Sequence, residues 1–303
     1  MSTELKYSTM QSHTSPYELI RSFLFVPASS DRFIAKAHER GADAVILDLE
    51  DSVARSEKRA ARERLAKAVP SVGQNGAKVF VRINSEDDLI DADAEAACRA
   101  GAYGLFRAKT PNAAAVLRLA TLLDRVESEI GAARKTVIVP AIEDPNAVFE
   151  ARAIGAASPR VYGLIAASED MATVMDAEPS LEFVRLPKLL VHFAAKAVGV
   201  RSLGLLRSIA DFRNVEGIKK AVEEARSFGF DGSTCIHPSV VAILNEGFSP
   251  SAVKVEEARR MLAAYEEAQK RGEGAFSFEG KMVDEPVVER AKRLLARAAQ
   301  FGK

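Results

Sequence analysis

Two acidic side chains near the middle of this 303-residue chain stand at the ends of apolar, strand-like runs, about one βα unit apart. Glu143 closes Val-Ile-Val-Pro-Ala-Ile-Glu (137–143), and Asp170 follows Val-Tyr-Gly-Leu-Ile-Ala-Ala-Ser-Glu (161–169). A carboxylate at the end of a buried strand costs burial energy unless a cation or hydrogen-bond donors meet it. On consecutive units of a parallel barrel the two would converge on one mouth. Such a pair suits a divalent ion such as Mg²⁺, with water and substrate oxygens completing an octahedron.

A second acidic group lies at Ala44–Val53, where four apolar residues lead into Asp48, Glu50 and Asp51. Like charges this close need cations to remain ionised away from water. An acidic mouth accounts for the cluster; for Asp51 or Ser52 alone, capping of the following helix is the competing reading. Arg82 interrupts the apolar run Val79–Ile83, so it needs an anion beside it. That anion is either Glu50 or Asp51 in a structural pair, or a substrate carboxylate gripped by two hydrogen bonds. Lys109 ends the next run; Schiff-base chemistry is open to it, but a helix-facing or phosphate-contacting role fits its surroundings better. His237, before Pro238, is either a general acid–base group or, as we favour, a loop-holding residue. His192 lies in an apolar helical stretch and reads as a satisfied core or interface histidine, while His38 and His13 carry no hypothesis.

Short apolar runs alternating with amphipathic stretches must position these groups, a pattern of repeated βα units. The strand candidates are Phe23–Pro27, Ala44–Leu49, Val79–Ile83, Gly104–Arg107, Val137–Ile142, Val161–Ala166, Ser202–Leu206 and Gly232–Ile236. Eight runs, each followed by a helical pattern, predict a (β/α)₈ TIM barrel, an α/β fold. Asp144-Pro145 predicts an N-cap followed by proline in the first turn, with Gly155 as the stop. Ala54–Val69 has Glu, Lys and Arg spaced for i,i+4 pairs on a solvated face. We expect a flexible N-terminal arm at 1–19, the catalytic barrel at 20–250, and a C-terminal helical extension at 251–303. That extension holds helical patterns at 251–271 and 286–300, split by the stretch 272–285.

Composition excludes several classes. Lysine plus arginine equals aspartate plus glutamate, 42 each, which gives no general attraction to nucleic acid or to an anionic membrane. Cys98 and Cys235 are too few for a disulfide framework. No stretch is long and apolar enough to span a bilayer, and the first nineteen residues lack a secretory pattern. We therefore expect a soluble, cytoplasmic protein. Dinucleotide, Walker-type, serine-hydrolase and zinc signatures are missing.

Six motifs then appear in order: 21–27 (Arg-Ser-Phe-Leu-Phe-Val-Pro), 46–53 (Ile-Leu-Asp-Leu-Glu-Asp-Ser-Val), 81–84 (Val-Arg-Ile-Asn), 140–143 (Pro-Ala-Ile-Glu), 236–238 (Ile-His-Pro) and 280–284 (Gly-Lys-Met-Val-Asp). From about residue 20 to the end, the chain resembles the citrate lyase beta-subunit-like branch of the HpcH/HpaI aldolase superfamily. The resemblance implies a Mg²⁺-dependent TIM barrel, commonly a homotrimer or hexamer, that cleaves citryl-, malyl- or citramalyl-type thioesters. By the same resemblance, Glu143 and Asp170 would hold Mg²⁺, which chelates a 2-oxo acid or its hydroxy-acid adduct. Arg82 would grip that acid. Phe25, Lys36 and the Ile236-His237 loop would contact coenzyme A. Asp284 would act as an acid–base group over a neighbour's site, with Glu50 and Asp51 as further catalytic candidates. The expected reaction is retro-Claisen cleavage of a short 3-hydroxyacyl-CoA to acetyl-CoA and a 2-oxo acid. Its rivals are a citrate lyase subunit working on an acyl-carrier-protein thioester, a free 4-hydroxy-2-oxo acid aldolase, and a non-catalytic scaffold. The chain departs from the family pattern at Ala167 and Ala28, where glycine is usual, and at Ala108, where proline is usual. It also departs at Ser30, often basic, and near Gly204, where an aspartate is missing. Activity on a different substrate or thioester carrier is therefore expected.

Overall fold

The computed structural model describes residues 16–210 and 212–302. His13 and most of the expected N-terminal arm lie outside that range. Among the described residues, all eight apolar runs form strands: β1 Ser22–Pro27, β2 Ala44–Asp48, β3 Lys78–Ile83, β4 Gly104–Arg107, β5 Val137–Ile142, β6 Gly163–Ala166, β7 Arg201–Leu203 and β8 Ser233–Cys235. They hydrogen-bond in parallel in the order β7-β6-β5-β4-β3-β2-β1-β8. A parallel bridge between Leu203 and Gly232 joins the two edges and closes the barrel. Gly232 is required there, because a Cβ would sit 2.2 Å from the Ile20 carbonyl oxygen. Around the sheet run α1 Asp31–Ala37, α2 Lys58–Gly73, α3 Ile90–Arg99, α4 Ala113–Ile130, α5 Pro145–Ala156, α6 Ser168–Val174, α7 Leu181–Ala197, α8 Val215–Phe228 and α9 Val241–Gly247.

Side chains alternate along each strand, and this alternation sorts the chemistry from the core. Phe23, Ile46, Phe80, Phe106 and Val139 fill the interior together with Tyr162. Phe80 meets Phe23 and Phe106 edge-on, with ring centroids 5.4 and 5.5 Å apart. Two residues further along the same strands come Phe25, Asp48, Arg82 and Ala141, which line a cavity at the C-terminal mouth. At the other end Tyr17 donates to the Pro159 carbonyl at 2.7 Å, and the Tyr162 hydroxyl donates to Glu18 O at 3.0 Å. The described end of the expected arm thus lies against the barrel floor.

The helix boundaries have local causes. Asp144 accepts a hydrogen bond from Ala147 N at 3.0 Å and caps α5, with Pro145 in the first turn as expected. Gly155 is not the stop: the helix runs to Ala156, and a Cβ on Gly155 would lie 2.9 Å from Val198. Its role is close packing. Helix α2 starts only at Lys58, so neither Asp51 nor Ser52 caps it; Arg59 and Glu63 make the expected i,i+4 pair on its outer face.

The chain divides into two units, at 1–244 and 245–303. The second unit contains α10 Ala252–Lys270 and α11 Glu285–Ala299, matching the two helical patterns. The stretch between them carries an antiparallel hairpin, β9 Phe276–Phe278 and β10 Lys281–Val283, which its composition did not reveal. Among the described residues no helix is long and apolar enough to cross a membrane.

Candidate active site

Asp48 and Arg82 are direct register partners on β2 and β3. Both side chains point inward at the mouth, and they form a two-pronged pair: Arg82 Nε donates to Asp48 Oδ1 at 2.7 Å and Nη2 to Oδ2 at 2.8 Å. Arg82 Nη1 donates to Asp51 Oδ2 at 3.0 Å. It also lies 2.9 Å from Glu50 Oε2, off the N–H direction, so that contact is an ion pair without a hydrogen bond. The expected partners of Arg82 were Glu50 and Asp51; Asp48 is the stronger one. Burial opposes ionisation of Asp48, but the bonds and charge of Arg82 outweigh it and hold its carboxyl below the usual range. The Phe25 ring covers the guanidinium, 5.0 Å from its centroid.

Burial pushes Glu50 in the opposite direction, upward, against the lowering charge of Arg82. Two lysines restrain it. Lys58, buried under the loop, donates to the Leu49 and Glu50 carbonyls at 2.9 and 2.6 Å. Lys109 Nζ donates to Glu50 Oε1 at 2.8 Å. Lys109 therefore faces the acidic loop and not a helix, which corrects the helix-facing alternative. Its bond to Glu50 also raises its pKa, which disfavours the neutral amine that Schiff-base chemistry requires. Lys109 has a positive φ of 47°, and Arg107 Nη1 steadies that turn by donating to the carbonyls of Ala108 and Lys109 at 3.1 and 3.0 Å.

Glu143, just past β5, and Asp170, in the first turn of α6, both line the mouth cavity, whose volume is about 490 Å³. Glu143 is buried, and burial together with the charge of Asp170 raises its pKa to about 8, despite the opposing Lys109 backbone N–H. Among the described residues no lysine or arginine comes within 4.0 Å of either carboxylate. An added cation would relieve both the burial and the repulsion. No group of three or more His, Cys, Asp and Glu side chains is placed to hold a metal among the described residues, so the site is a pair of carboxylates rather than a closed cage. Two carboxylates and an open cavity fit a hard divalent ion that keeps other oxygen ligands, and do not fit structural zinc.

The remaining expected residues separate. Phe25 and Ile236 line the cavity, whereas Lys36 is exposed in the last turn of α1 and outside the lining. His237 is exposed and holds its loop: its Nδ1 lies 2.8 Å from Ser239 Oγ, and its ring stacks on Phe212 at 4.6 Å. Asp284, in the second unit, accepts from Val287 N at 3.3 Å and caps α11. His192 is buried, with Nδ1 2.8 Å from Ser202 Oγ, as a satisfied core histidine should be. Ala167 has φ −91° and ψ 122°, an ordinary conformation, so its methyl adds bulk to the cavity wall without distorting the chain. Gly204 has φ +130°, a backbone that an aspartate at this position would rarely adopt.

One cationic residue of the lining was missed. Lys188 lies on α7, buried, with its ammonium 3.3 Å from the Ala166 carbonyl. The signal was available: Val184, Lys188, Val191 and Ala195 form one helical stripe, and a lysine in such a stripe is out of place unless it serves something. Burial lowers its pKa to about 8.

A parallel barrel whose mouth cavity holds a paired arginine and two carboxylates, with no described lysine or arginine within 4.0 Å of them, has the setting of an enzyme site. The HpcH/HpaI aldolase/citrate lyase family model matches residues 21–238. The chain belongs to this family and is an enzyme of the lyase class. It is 33% identical to the citrate lyase subunit beta of Haemophilus influenzae, with 93% of this chain and 97% of that protein covered. It is 32% identical to a (3S)-malyl-CoA thioesterase of Cereibacter sphaeroides, covering 92% and 94%. Among solved structures it resembles the Mycobacterium tuberculosis protein CitE in complex with magnesium, acetoacetate and coenzyme A, at 31% identity and a TM-score of 0.74, covering 93% of this chain and 98% of that one.

Proposed function

We propose that this protein is a Mg²⁺-dependent carbon–carbon lyase that cleaves a short 3-hydroxyacyl-CoA to acetyl-CoA and a 2-oxo acid. The observation that carries this reading is the Glu143–Asp170 pair, two carboxylates with no described lysine or arginine within 4.0 Å, in a cavity that also holds Arg82. Those two residues would hold the metal, which when bound supplies Lewis acidity at the substrate's hydroxyl and carbonyl oxygens.

The chain's own groups do the rest. In the cleavage direction the 3-hydroxyl loses its proton, the C2–C3 bond breaks, and its electron pair passes into the thioester enolate. That enolate then takes up a proton to become acetyl-CoA, and the other fragment leaves as the 2-oxo acid. Asp51, exposed at the rim and lining the cavity, is the member of the 48–51 cluster suited to accept the proton. Asp48 is held ionised by Arg82 and stays an anchor. Glu50 serves by positioning, between Lys109 and Arg82. Asp284 is the acid–base group that we assign to a neighbouring copy's site within a homotrimer or hexamer. Arg82 steadies the charge that shifts between oxygens. Phe25 and Ile236 would flank the thioester arm, and Lys36 and the His237 loop would meet the rest of coenzyme A.

The similarity to a malyl-CoA thioesterase favours a second reading, in which the same site hydrolyses the thioester instead of breaking the carbon–carbon bond. Product analysis after incubation with malyl-CoA, citramalyl-CoA and citryl-CoA separates the two. Acetyl-CoA with a 2-oxo acid supports the lyase; free CoA with an intact hydroxy acid supports the thioesterase. Calorimetric titration with acetyl-CoA, Mg²⁺ and glyoxylate, pyruvate or oxaloacetate, alongside Glu143→Ala, tests the metal role. Binding of metal and oxo acid without any response to acetyl-CoA would favour an acyl-carrier-protein thioester or a free-acid aldolase.

A further inference from the structure

Among the described residues two cationic side chains line the mouth cavity, Arg82 and Lys188, and they differ in how much of their bonding is already used. Three carboxylates surround the Arg82 guanidinium, at 2.7 to 3.0 Å. Lys188 has no carboxylate within 4.0 Å among the described residues, and its one acceptor, Ala166 O, lies at a long 3.3 Å. An ammonium carries three N–H donors, so two remain unused in a buried position. Leaving a buried charge so poorly met is costly unless a ligand completes it.

The location narrows the ligand. Ala166 ends β6 and is the register partner of Ile142, which immediately precedes Glu143. The ammonium therefore sits at the end of β6, the strand that leads into Asp170, and one strand away from Glu143. Glu143, Asp170 and Lys188 line the same cavity, so an oxo acid whose 2-oxo and first carboxylate oxygens face Glu143 and Asp170 shares that space with the ammonium.

We infer that Lys188 is a substrate-binding residue that receives a second carboxylate, so that the site selects 2-oxo acids bearing two carboxylates over those bearing one. This inference rests on the lyase reading above. Lys188 supplies the charge, and the Ala166 carbonyl fixes the direction in which it is presented. A monocarboxylic acid leaves the ammonium as it stands and gains nothing from it.

The test is calorimetric binding of oxaloacetate and of pyruvate, each with Mg²⁺, to the full chain and to Lys188→Met and Lys188→Arg, with KM and kcat for condensation with acetyl-CoA measured in parallel. A charged hydrogen bond of this kind corresponds to about 10- to 100-fold in affinity. The expected result is that K188M loses about that factor for oxaloacetate, chiefly in Kd and KM, and less than about threefold for pyruvate. K188R restores most of the loss. Equal losses for both acids would mean that Lys188 only holds the β6–α6 junction and would overturn the inference. So would a wild-type preference for oxaloacetate that K188M leaves intact, and in that case the lyase reading survives. A wild-type protein that binds neither acid overturns both.

Discussion

In the metal-free protein Glu143 keeps its proton to about pH 8, because burial and the adjacent Asp170 both oppose its charge. The unfolded chain gives that proton up near pH 4.5. Between those values the folded state binds more protons than the unfolded one, so its stability falls as pH rises from about 4.5 to about 8 and is level outside that window. The slope from this one group reaches up to about 1.4 kcal/mol per pH unit. Thermal melts in chelator should show the decline, and Glu143→Gln should flatten it. Because Mg²⁺ competes with the same proton, the melting shift on adding Mg²⁺ should grow with pH across the window and vanish in the variant. A second prediction concerns Arg82. Lysine keeps its charge but cannot span both Asp48 oxygens while reaching Asp51. Arg82→Lys should therefore lower kcat by about 100-fold or more, in line with losing a group aimed at developing charge. A circular dichroism spectrum matching wild type would locate the loss in the chemistry.

The elements explain why some of the site was readable from sequence and some was not. All eight strands were legible: β1 to β6 are largely buried apolar runs between polar helices, and the short β7 and β8, Arg-Ser-Leu and Ser-Thr-Cys, were marked by the apolar residues that flank them. Glu143 and Asp170 were legible for the same reason, as carboxylates where such runs end. The partner of Lys109 was not: Glu50 is 59 residues away, and only the strand order, with β2 and β4 on either side of β3, brings their loops together. The hairpin of the second unit was hidden because its strands are three residues each, too short to display a period. Lys188 was readable as a lysine within an apolar helical stripe, yet a single charge inside a convincing helix was passed over. The aromatic layer below the cavity is the element on which the site rests. Phe80→Ala removes rings packed against Phe23, Phe106 and Tyr162. It should cost about 3–5 kcal/mol, read as a lower urea midpoint with an unchanged slope.

At the scale of the whole molecule, the assignment of Asp284 to a neighbour's site makes a claim about assembly. Glu143→Ala and Asp284→Asn variants should each be nearly inactive alone. Mixed and allowed to exchange subunits, they should regain activity, because some sites then combine an intact Glu143 with an intact Asp284. Activity of the mixture is read against light scattering of the same sample. Recovery with a trimeric or hexameric mass supports the shared site, and no recovery in a verified mixed oligomer removes Asp284 from the mechanism.

The barrel floor has a kinetic consequence. Among the described residues Phe23, Phe80, Phe106 and Tyr162 fill the interior below the cavity, and the Tyr17–Ile20 segment is bonded across its far end, so the barrel floor is packed and the cavity lies at the mouth. Whatever lies deepest must then enter first and leave last. On the proposed reading, in which Glu143 and Asp170 hold the 2-oxo acid with the thioester arm above it, cleavage should be an ordered one-substrate, two-product scheme. The oxo acid should inhibit competitively against the 3-hydroxyacyl thioester, while acetyl-CoA, departing earlier, should inhibit noncompetitively.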